Sequence, residues 1–483
     1  MNSVASPLLL TTSYDRSACE IGIVHVGPGA FHRAHQAYYF DAMMEQTNDL
    51  SWGIAAVNLR AAEAVDLSAL KNASDGYVLK SVSATGKSDF RQVRSHIAFA
   101  DWSQNAESAE NLLALPGVKL VTITVTESGY YLNEDKQINL SDAIIKAEIS
   151  GDKKTSVYAY LRAGLTRRRI ENSGPLTVLC CDNLRGNGEL LQRSFYRYLE
   201  LCNDLELIEW LDNNASFPSS MVDRITPKPG RELAVEVAQL FGLKSNSSVL
   251  CEDFIQWVIE DDFAGPRPPL EQAGVQIVNS VEPYEETKIR VLNGGHTGLT
   301  YLGALAGYQT FDQAIADPRL LEHFLNYENE EVLPVLPDDL PFDKSEYLSV
   351  ITSRFQNPYV ADSLQRICMD GVSKFPIFIL PTIIDCFQRG RVPHRAIVSI
   401  ASWYIFAKRI HDGHMSFKYI EPNMHVLEPY LKDGQKTDFT KAKTLWGDLP
   451  DNFPEFSDLL CREIDILGKE YPVQSFGTTS NNT

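Results

Sequence analysis

Lys288, Asn293 and His296 stand at K-x4-N-x2-H in the run EPYEETKIRVLNGGHTGLTYLGALAGY, Glu282 to Tyr308. These residue types fit alcohol oxidation. Removing a hydride from a secondary carbinol leaves its oxygen with a proton to lose, and a lysine whose pKa is lowered by burial takes that proton near neutral pH. Uncharged amide donors such as Asn stabilise the developing charge on oxygen without neutralising the base. Read as an α-helix, the run puts Glu285 about 60°, His296 about 80° and Asn293 about 140° around from Lys288, so the four share one side. Gly294 and Gly295 in mid-helix each cost about 1 kcal/mol relative to Ala. Their presence predicts close approach of another group to the backbone, for which a cofactor or substrate would be a reason. A solvated polar face with a satisfied histidine is the commoner source of such a spacing on its own.

A second stretch with chemical content is IVHVGPGAFHRAHQAYYF, Ile23 to Phe40. It reads as a buried strand, a turn at Gly27-Pro28-Gly29, and a helix. In a dinucleotide-binding turn the first glycine makes the corner, the second admits the pyrophosphate, and a third lets the helix pack closely on the strand. Gly27 and Gly29 suit the first two roles, but His32 stands at the third, leaving Ala30 and Ala34 for close approach. A plain strand-to-helix corner competes with this reading. A second strand, GIAAVNLR, ends at Asn58, near where a ribose-reading acid belongs. Asn58 neither binds ribose as a carboxylate would nor repels an extra phosphate, and Arg60 is close enough to meet one, so NAD and NADP both stay open.

The elements that must hold these residues differ along the chain. IGIVHV, GIAAVN (Gly53 to Asn58), KLVTITV (Lys119 to Val125) and LTVLCCDN (Leu176 to Asn183) are β-branched runs, apolar on both faces and separated by helix-length segments. That pattern predicts a parallel sheet built of βαβ units, of the Rossmann type. From Lys288 onward the apolar spacing is 3 to 4, as in HRAIVSIASWYIFAKRI, which predicts a mostly α-helical second domain. The expected division is 1–283 and 284–483, and a chain of 483 residues is long enough for two cores.

Composition bounds the partners. A formal charge of −19, from 44 basic and 63 acidic side chains, disfavours a nucleic-acid partner. No apolar run has the length of a membrane span, and the N-terminus lacks the pattern of a signal peptide. Eight scattered cysteines without C-x-x-C spacing predict reduced thiols in a cytoplasmic protein. His411 and His414 mimic a metal pair, but no third ligand of suitable pattern accompanies them, and no metal is expected. A monomer is compatible with the sequence, and the tail SFGTTSNNT reads as disordered.

Eight motifs in one order, VGPGAFHRAH, WGIAAVNLR, TVTESGYY, CDNLRGNGE, MVDRITP, EDFIQWVIED, KIRVLNGGH and ICMDGVSKFP, extend the reading across Ile21 to Lys469. With them the chain resembles the long-chain polyol dehydrogenases of the mannitol 2-dehydrogenase and fructuronate reductase type. The resemblance implies a metal-independent oxidoreductase that passes a hydride between a sugar alcohol and NAD(P), with its site in the cleft between the domains. It implies Lys288 as general base, Asn183, Asn293 and His296 around the reacting oxygen, and Glu285 on a proton path. Asp223, Arg366 and Lys374 match substrate-binding positions. Cofactor contacts are expected at Gly27, Gly29, Ala30, Phe31, Asn58, Arg60, Thr126 and Glu127. Plainer readings stay open: Asp182 and Asp223 as caps or turn formers, Arg366 in an ordinary salt bridge, and Lys374 solvated. The wording RFQNPYVADSLQRICMDGVSKFPIFILP is closer to mannitol-type members, which favours D-mannitol and D-fructose over D-mannonate and D-fructuronate.

Overall fold

The computed structural model describes residues 7–73, 75–133, 135–152, 154–227, 230–243, 247–415 and 417–472. The tail SFGTTSNNT lies outside the described residues. The chain divides into two compact units, Met1–Glu282 and Pro283–Thr483.

In the first unit six parallel strands form the central sheet: β1 (Ile21–Val26), β2 (Gly53–Asn58), β3 (His96–Asp101), β4 (Leu120–Ile123), β5 (Leu176–Cys180) and β6 (Ala215–Ser216). Their order across the sheet is 3-2-1-4-5-6, the arrangement of dinucleotide-binding folds. All four β-branched runs singled out in the sequence are strands of this sheet. Alternate residues of β1 face opposite ways: Val24 and Val26 join a core with Leu113, Tyr158 and Leu161, whereas Ile23 joins one with Phe40 and Met43. Helices on both faces explain why these strands are continuously apolar. Two smaller sheets flank this one. One runs Leu9–Thr11, Ser88–Val93, Tyr77–Val82 and Val249–Glu252, and the other Ser220–Asp223, Gln256–Glu260 and Gln276–Val278.

The segment after the glycine turn is not one helix. It forms α1 (Ala30–Ala34), breaks at His35, where φ is −120° and ψ −86°, and resumes as α2 (Gln36–Thr47). His32 is fully buried in α1, its ring flat on that of His25 with centroids 3.2 Å apart. The helix therefore approaches the sheet through stacked rings where a third glycine would have allowed backbone contact.

In the second unit every named element among the described residues is helical. Four helices matter for the site: α3 (Glu282–Thr287), α4 (Gly294–Leu305), α5 (Pro318–Asn326) and α6 (Leu380–Gln388). A long apolar helix, His394–His411, supplies Ile397, Ile400 and Trp403 to the core that also holds Leu299 and Leu302 of α4.

The expectation of a regular α-helix through Lys288 and His296 needs correction. Lys288–Asn293 is a π-helical turn between α3 and α4. A second π turn, Tyr327–Val332, follows α5. Closing the hydrogen bonds at i→i+5 carries residue i+5 closer to directly above residue i than an α-helix does. Lys288 and Asn293 are such a pair. The turn is braced by Arg290, buried at 5% exposure, whose guanidinium donates to Glu286 (2.7 Å), to Thr382 Oγ1 (2.8 Å) and to Asp385 on α6.

Candidate active site

Gly27 ends β1 with φ +87°, and a Cβ there would lie 2.1 Å from the Thr124 carbonyl, so only glycine fits this corner. Gly29 is different: a Cβ would meet only the Gly27 carbonyl, at 3.9 Å. The space over Gly29 is open, which is what an approaching phosphate requires. Around this turn lies a pocket of about 140 Å³ lined by Gly27, Gly29, Arg60, Glu63, Thr124 and Thr126, among others. It sits at the carboxyl ends of β1, β2 and β4, where open parallel sheets bind their ligands. Ala30 and Phe31 open α1 beside it without lining it. These features suit a dinucleotide whose pyrophosphate approaches over Gly29.

Asn58 is spent on its own turn. Its Nδ2 donates to the Arg60 carbonyl at 2.8 Å and its Oδ1 accepts from the Arg60 N–H at 3.2 Å, with 1% of its surface exposed. It shapes the loop, and Arg60 and Glu63 are the groups that reach the pocket. Glu63 lies five residues beyond the end of β2, in a separate helical turn, so the strand pattern does not mark it.

Thr126 has φ +68° and ψ 160°, backbone torsions that belong almost wholly to glycine. Asp182, just after β5, holds this conformation. Its two oxygens accept from the Val125 N–H at 2.8 Å and the Thr126 N–H at 3.1 Å, and Tyr130 Oη donates to it at 2.7 Å. Burial pushes the Asp182 carboxyl above its ordinary pKa, against these three hydrogen bonds. Of the readings open for Asp182, turn former is the one observed. Asn183 follows it, exposed on the same loop, and Asn187 pins that loop by donating to the Asp182 and Ser220 carbonyls at 3.0 and 2.7 Å. Glu127 is exposed in the short helical turn after Thr126. Asp223 ends the strand Ser220–Asp223 and is 5% exposed.

In the second unit Lys288 and Glu285 are 8% and 7% exposed. His296 keeps part of its surface accessible, between Phe311 and Phe355 with ring centroids at 4.3 and 5.2 Å. Desolvation pushes its pKa down to about 3, opposed by Asp362 and reinforced by Arg366, Lys374 and Arg354. The imidazole is thus neutral near pH 7, free to accept or donate one hydrogen bond. Asp362, which the sequence reading missed, pairs with Arg366 through Nε at 2.7 Å and through a second nitrogen. Lys374 Nζ donates to the Ile367 carbonyl at 2.8 Å.

The glycine pair is explained by the chain itself and not by a ligand. A Cβ on Gly294 would meet the Phe378 carbonyl and Tyr327 Oη at 3.0 Å, and one on Gly295 would meet Glu328 Oε1 and Phe324 Cε2 at 2.6 Å. Tyr327 and Glu328 of the second π turn and Phe324 of α5 are thus what crowd the start of α4.

The family model described as the mannitol dehydrogenase Rossmann domain matches residues 21–272, and that of the mannitol dehydrogenase C-terminal domain matches residues 280–461. The chain belongs to the mannitol dehydrogenase family. Among relatives of this mannitol dehydrogenase family chain, a D-arabinitol 4-dehydrogenase of Klebsiella pneumoniae is 36% identical, over 89% of this chain and 94% of its own. A mannitol 2-dehydrogenase of Pyrenophora tritici-repentis is also 36% identical, over 90% of this chain and 78% of its own. The mannitol 2-dehydrogenase of Pseudomonas fluorescens, solved as a ternary complex with NAD and D-mannitol, superposes with a TM-score of 0.84 at 32% identity, covering 96% of this chain and 94% of that one. A substrate-free D-sorbitol dehydrogenase gives 0.86 at 32% identity, covering 96% of both chains. In this family setting, no group of three or more His, Cys, Asp or Glu placed to hold a metal occurs among the described residues. No helix among them is long and apolar enough to cross a membrane.

Proposed function

We propose that the chain is an NAD-dependent polyol dehydrogenase that oxidises a secondary hydroxyl of a neutral open-chain sugar alcohol, D-mannitol to D-fructose being the expected pair. Bound NAD supplies the hydride acceptor. Lys288 removes the proton of the reacting hydroxyl, and the amides of Asn293 and Asn183 donate to its oxygen as charge develops. Neutral His296 joins them, since an imidazolium there would compete with the lysine as the acid. Glu285, buried three residues before Lys288, relays the proton to solvent. Asp223, Arg366 and Lys374 bind the remaining hydroxyls.

The observation that carries this reading is the π turn, which sets Lys288 and Asn293 at the i, i+5 separation that its hydrogen bonds bring into line. The choice between a neutral polyol and an aldonate rests on Arg366. A substrate carboxylate wants a dedicated cation, and here the guanidinium is already gripped by Asp362 through two nitrogens. That pairing favours the neutral substrate. D-arabinitol, the substrate named for one of the relatives, is a neutral polyol that belongs in the same assay.

Oxidation of NADH followed at 340 nm with fructose, xylulose and fructuronate, and with NADPH in parallel, tests the reading. Fructose or xylulose is expected to exceed fructuronate by at least an order of magnitude, and the reverse order would transfer the assignment to aldonates. Lys288→Ala should lower kcat by about 10²- to 10⁴-fold, the range for loss of a general base. Unchanged kcat in that variant would remove Lys288 from the mechanism.

A further inference from the structure

The Gly27 carbonyl is held more firmly than a turn demands. It accepts from the Gly29 N–H at 2.7 Å, from Thr124 Oγ1 at 2.8 Å and from His25 Nε2 at 3.1 Å. His25 Nε2 also lies 3.0 Å from Thr124 Oγ1, which spends its own proton on the Gly27 carbonyl and can only accept from the ring, so His25 carries its proton on Nε2 and shares it between the two oxygens. Nδ1 is then a lone pair, and it accepts the hydroxyl proton of Thr122 at 2.7 Å. Both nitrogens are used and the tautomer follows from the partners. The ring cannot swing away, for it lies flat on His32 at 3.2 Å with an interplanar angle of 11°, and His32 Nε2 is in turn 2.9 Å from His96 Nε2. All three rings are buried, His25 and His96 on strands of the sheet that carries the turn and His32 on α1.

We propose that His25, seconded by Thr124, is a cofactor-positioning residue, which keeps the Gly27–Pro28 peptide with its oxygen turned into the sheet and away from the dinucleotide's pyrophosphate. The proposal rests on the reading of the Gly27 pocket as the dinucleotide site. Its physical basis is the proline. Pro28 has no N–H, so this peptide offers an anion nothing to bind in either orientation. Rotated outward, it would set a carbonyl oxygen against the phosphates and repel them. An interior donor that holds the oxygen inward leaves the open face of Gly29, where a Cβ would meet nothing nearer than 3.9 Å, as the surface the anion meets. His32 thereby has a role at the position of the third glycine: it is the floor that fixes the plane of the histidine clamping the first.

The test is a set of substitutions at His25 in the full chain. Gln sets an amide nitrogen near the Nε2 position and keeps the donor to Gly27. Asn reaches only the Nδ1 position, and Leu offers neither contact. NADH affinity is read by fluorescence titration, with KM and kcat for cofactor and polyol alongside. His25→Asn and His25→Leu are expected to weaken NADH binding about tenfold, the scale of one lost hydrogen bond to a buried acceptor. The KM for polyol and the kcat at saturating cofactor should stay within about threefold in these variants, and His25→Gln should regain most of the affinity. A folded His25→Asn that binds NADH like the parent, or a folded His25→Gln no better than Leu, would overturn the proposal. Thr124→Val removes the second donor from a partly exposed site and keeps the question open to experiment if the His25 variants do not fold. Parent-like NADH affinity in that variant would also overturn the proposal. Gly29→Asp separates the two levels of inference by placing charge and bulk in the pocket itself. Normal NADH binding there would sink the pocket assignment, whereas loss there with normal binding in His25→Asn would sink only the clamp.

Discussion

Glu63 and Arg60 meet the same pocket with opposite charge, and cofactor choice turns on which dominates. A carboxylate beside the adenosine ribose binds hydroxyls and repels an added phosphate, whereas a guanidinium attracts it. Glu63 is exposed, so solvent screens its effect. Glu63→Gln is accordingly expected to raise kcat/KM for NADP about three- to tenfold and to change that for NAD less, since one screened charge contributes about 1 kcal/mol. Steady-state assays with both cofactors check it, and an unaltered ratio would leave the choice to Arg60. Thr126 and Asp182 make a second pair of opposed residues. Thr126→Gly relieves torsions worth of order 1–3 kcal/mol and is expected to raise the melting temperature. Asp182→Asn removes one of the acceptors that impose those torsions, so it should lower the melting temperature and weaken NADH binding. Movement of both variants in the same direction would contradict this division of labour.

At the scale of the element, what composition controls was legible and what neighbours control was not. The parallel strands announce themselves because burial on both faces demands unbroken β-branched runs, and IGIVHV, GIAAVN and LTVLC are such runs. The helical second unit is equally plain from its apolar spacing. The π turn at Lys288–Asn293 is not, because it differs from an α-helix in where hydrogen bonds close and hardly at all in residue type. Its brace lies far off in sequence, in the Thr382 and Asp385 groups that hold Arg290. The glycine pair was visible, yet its partners were unreadable, since nothing local says that Phe324 and Glu328 will press on Gly295. Asn58 illustrates the same limit: its position after the second strand was right for a ribose contact, and its side chain is consumed by its own backbone. The crowding at Gly295 makes a prediction for the element. Gly295→Ala must push a methyl into Phe324 and Glu328, overpacking that costs about 1–3 kcal/mol. The urea midpoint should fall, and kcat should fall with it because His296 is the next residue. NADH affinity, set in the other unit, should not change.

Across the whole molecule the pH dependence of stability is governed by buried histidines. His25, His296 and His323 are pushed down to about 3, and His32 and His96 well below their ordinary value, in each case chiefly by desolvation of the imidazolium. A depressed folded pKa means that the unfolded chain binds the proton first. These five groups therefore leave stability intact above about pH 6.5 and withdraw it as pH falls from there toward 3. Two carboxyls on the second π turn act oppositely. Burial raises Glu331 to about 7 and Glu328 well above the carboxylate range. Raised carboxyls favour the folded state at acid pH and cost stability as pH climbs through 4.5 toward their folded values. Asp41 and Asp182, also raised by burial, act in the same direction as the glutamates, and the five histidines outweigh these four carboxyls between pH 4.5 and 6.5, above which the histidines no longer contribute. Stability should accordingly peak near pH 6.5 and fall on acidification, each proton taken up on unfolding contributing about 1.4 kcal/mol per pH unit. Urea titrations at half-unit steps from pH 4.5 to 8 measure this directly. Ordinary paired carboxylates lose their contribution at lower pH, so a decline confined to values below 4.5 would assign acid lability to them and refute the histidine account. His323→Phe provides the internal control. The ring is buried with Nε2 unpartnered, so removing it should flatten the slope between pH 4.5 and 6.5 by about one proton's worth, whatever it does to the midpoint at pH 7.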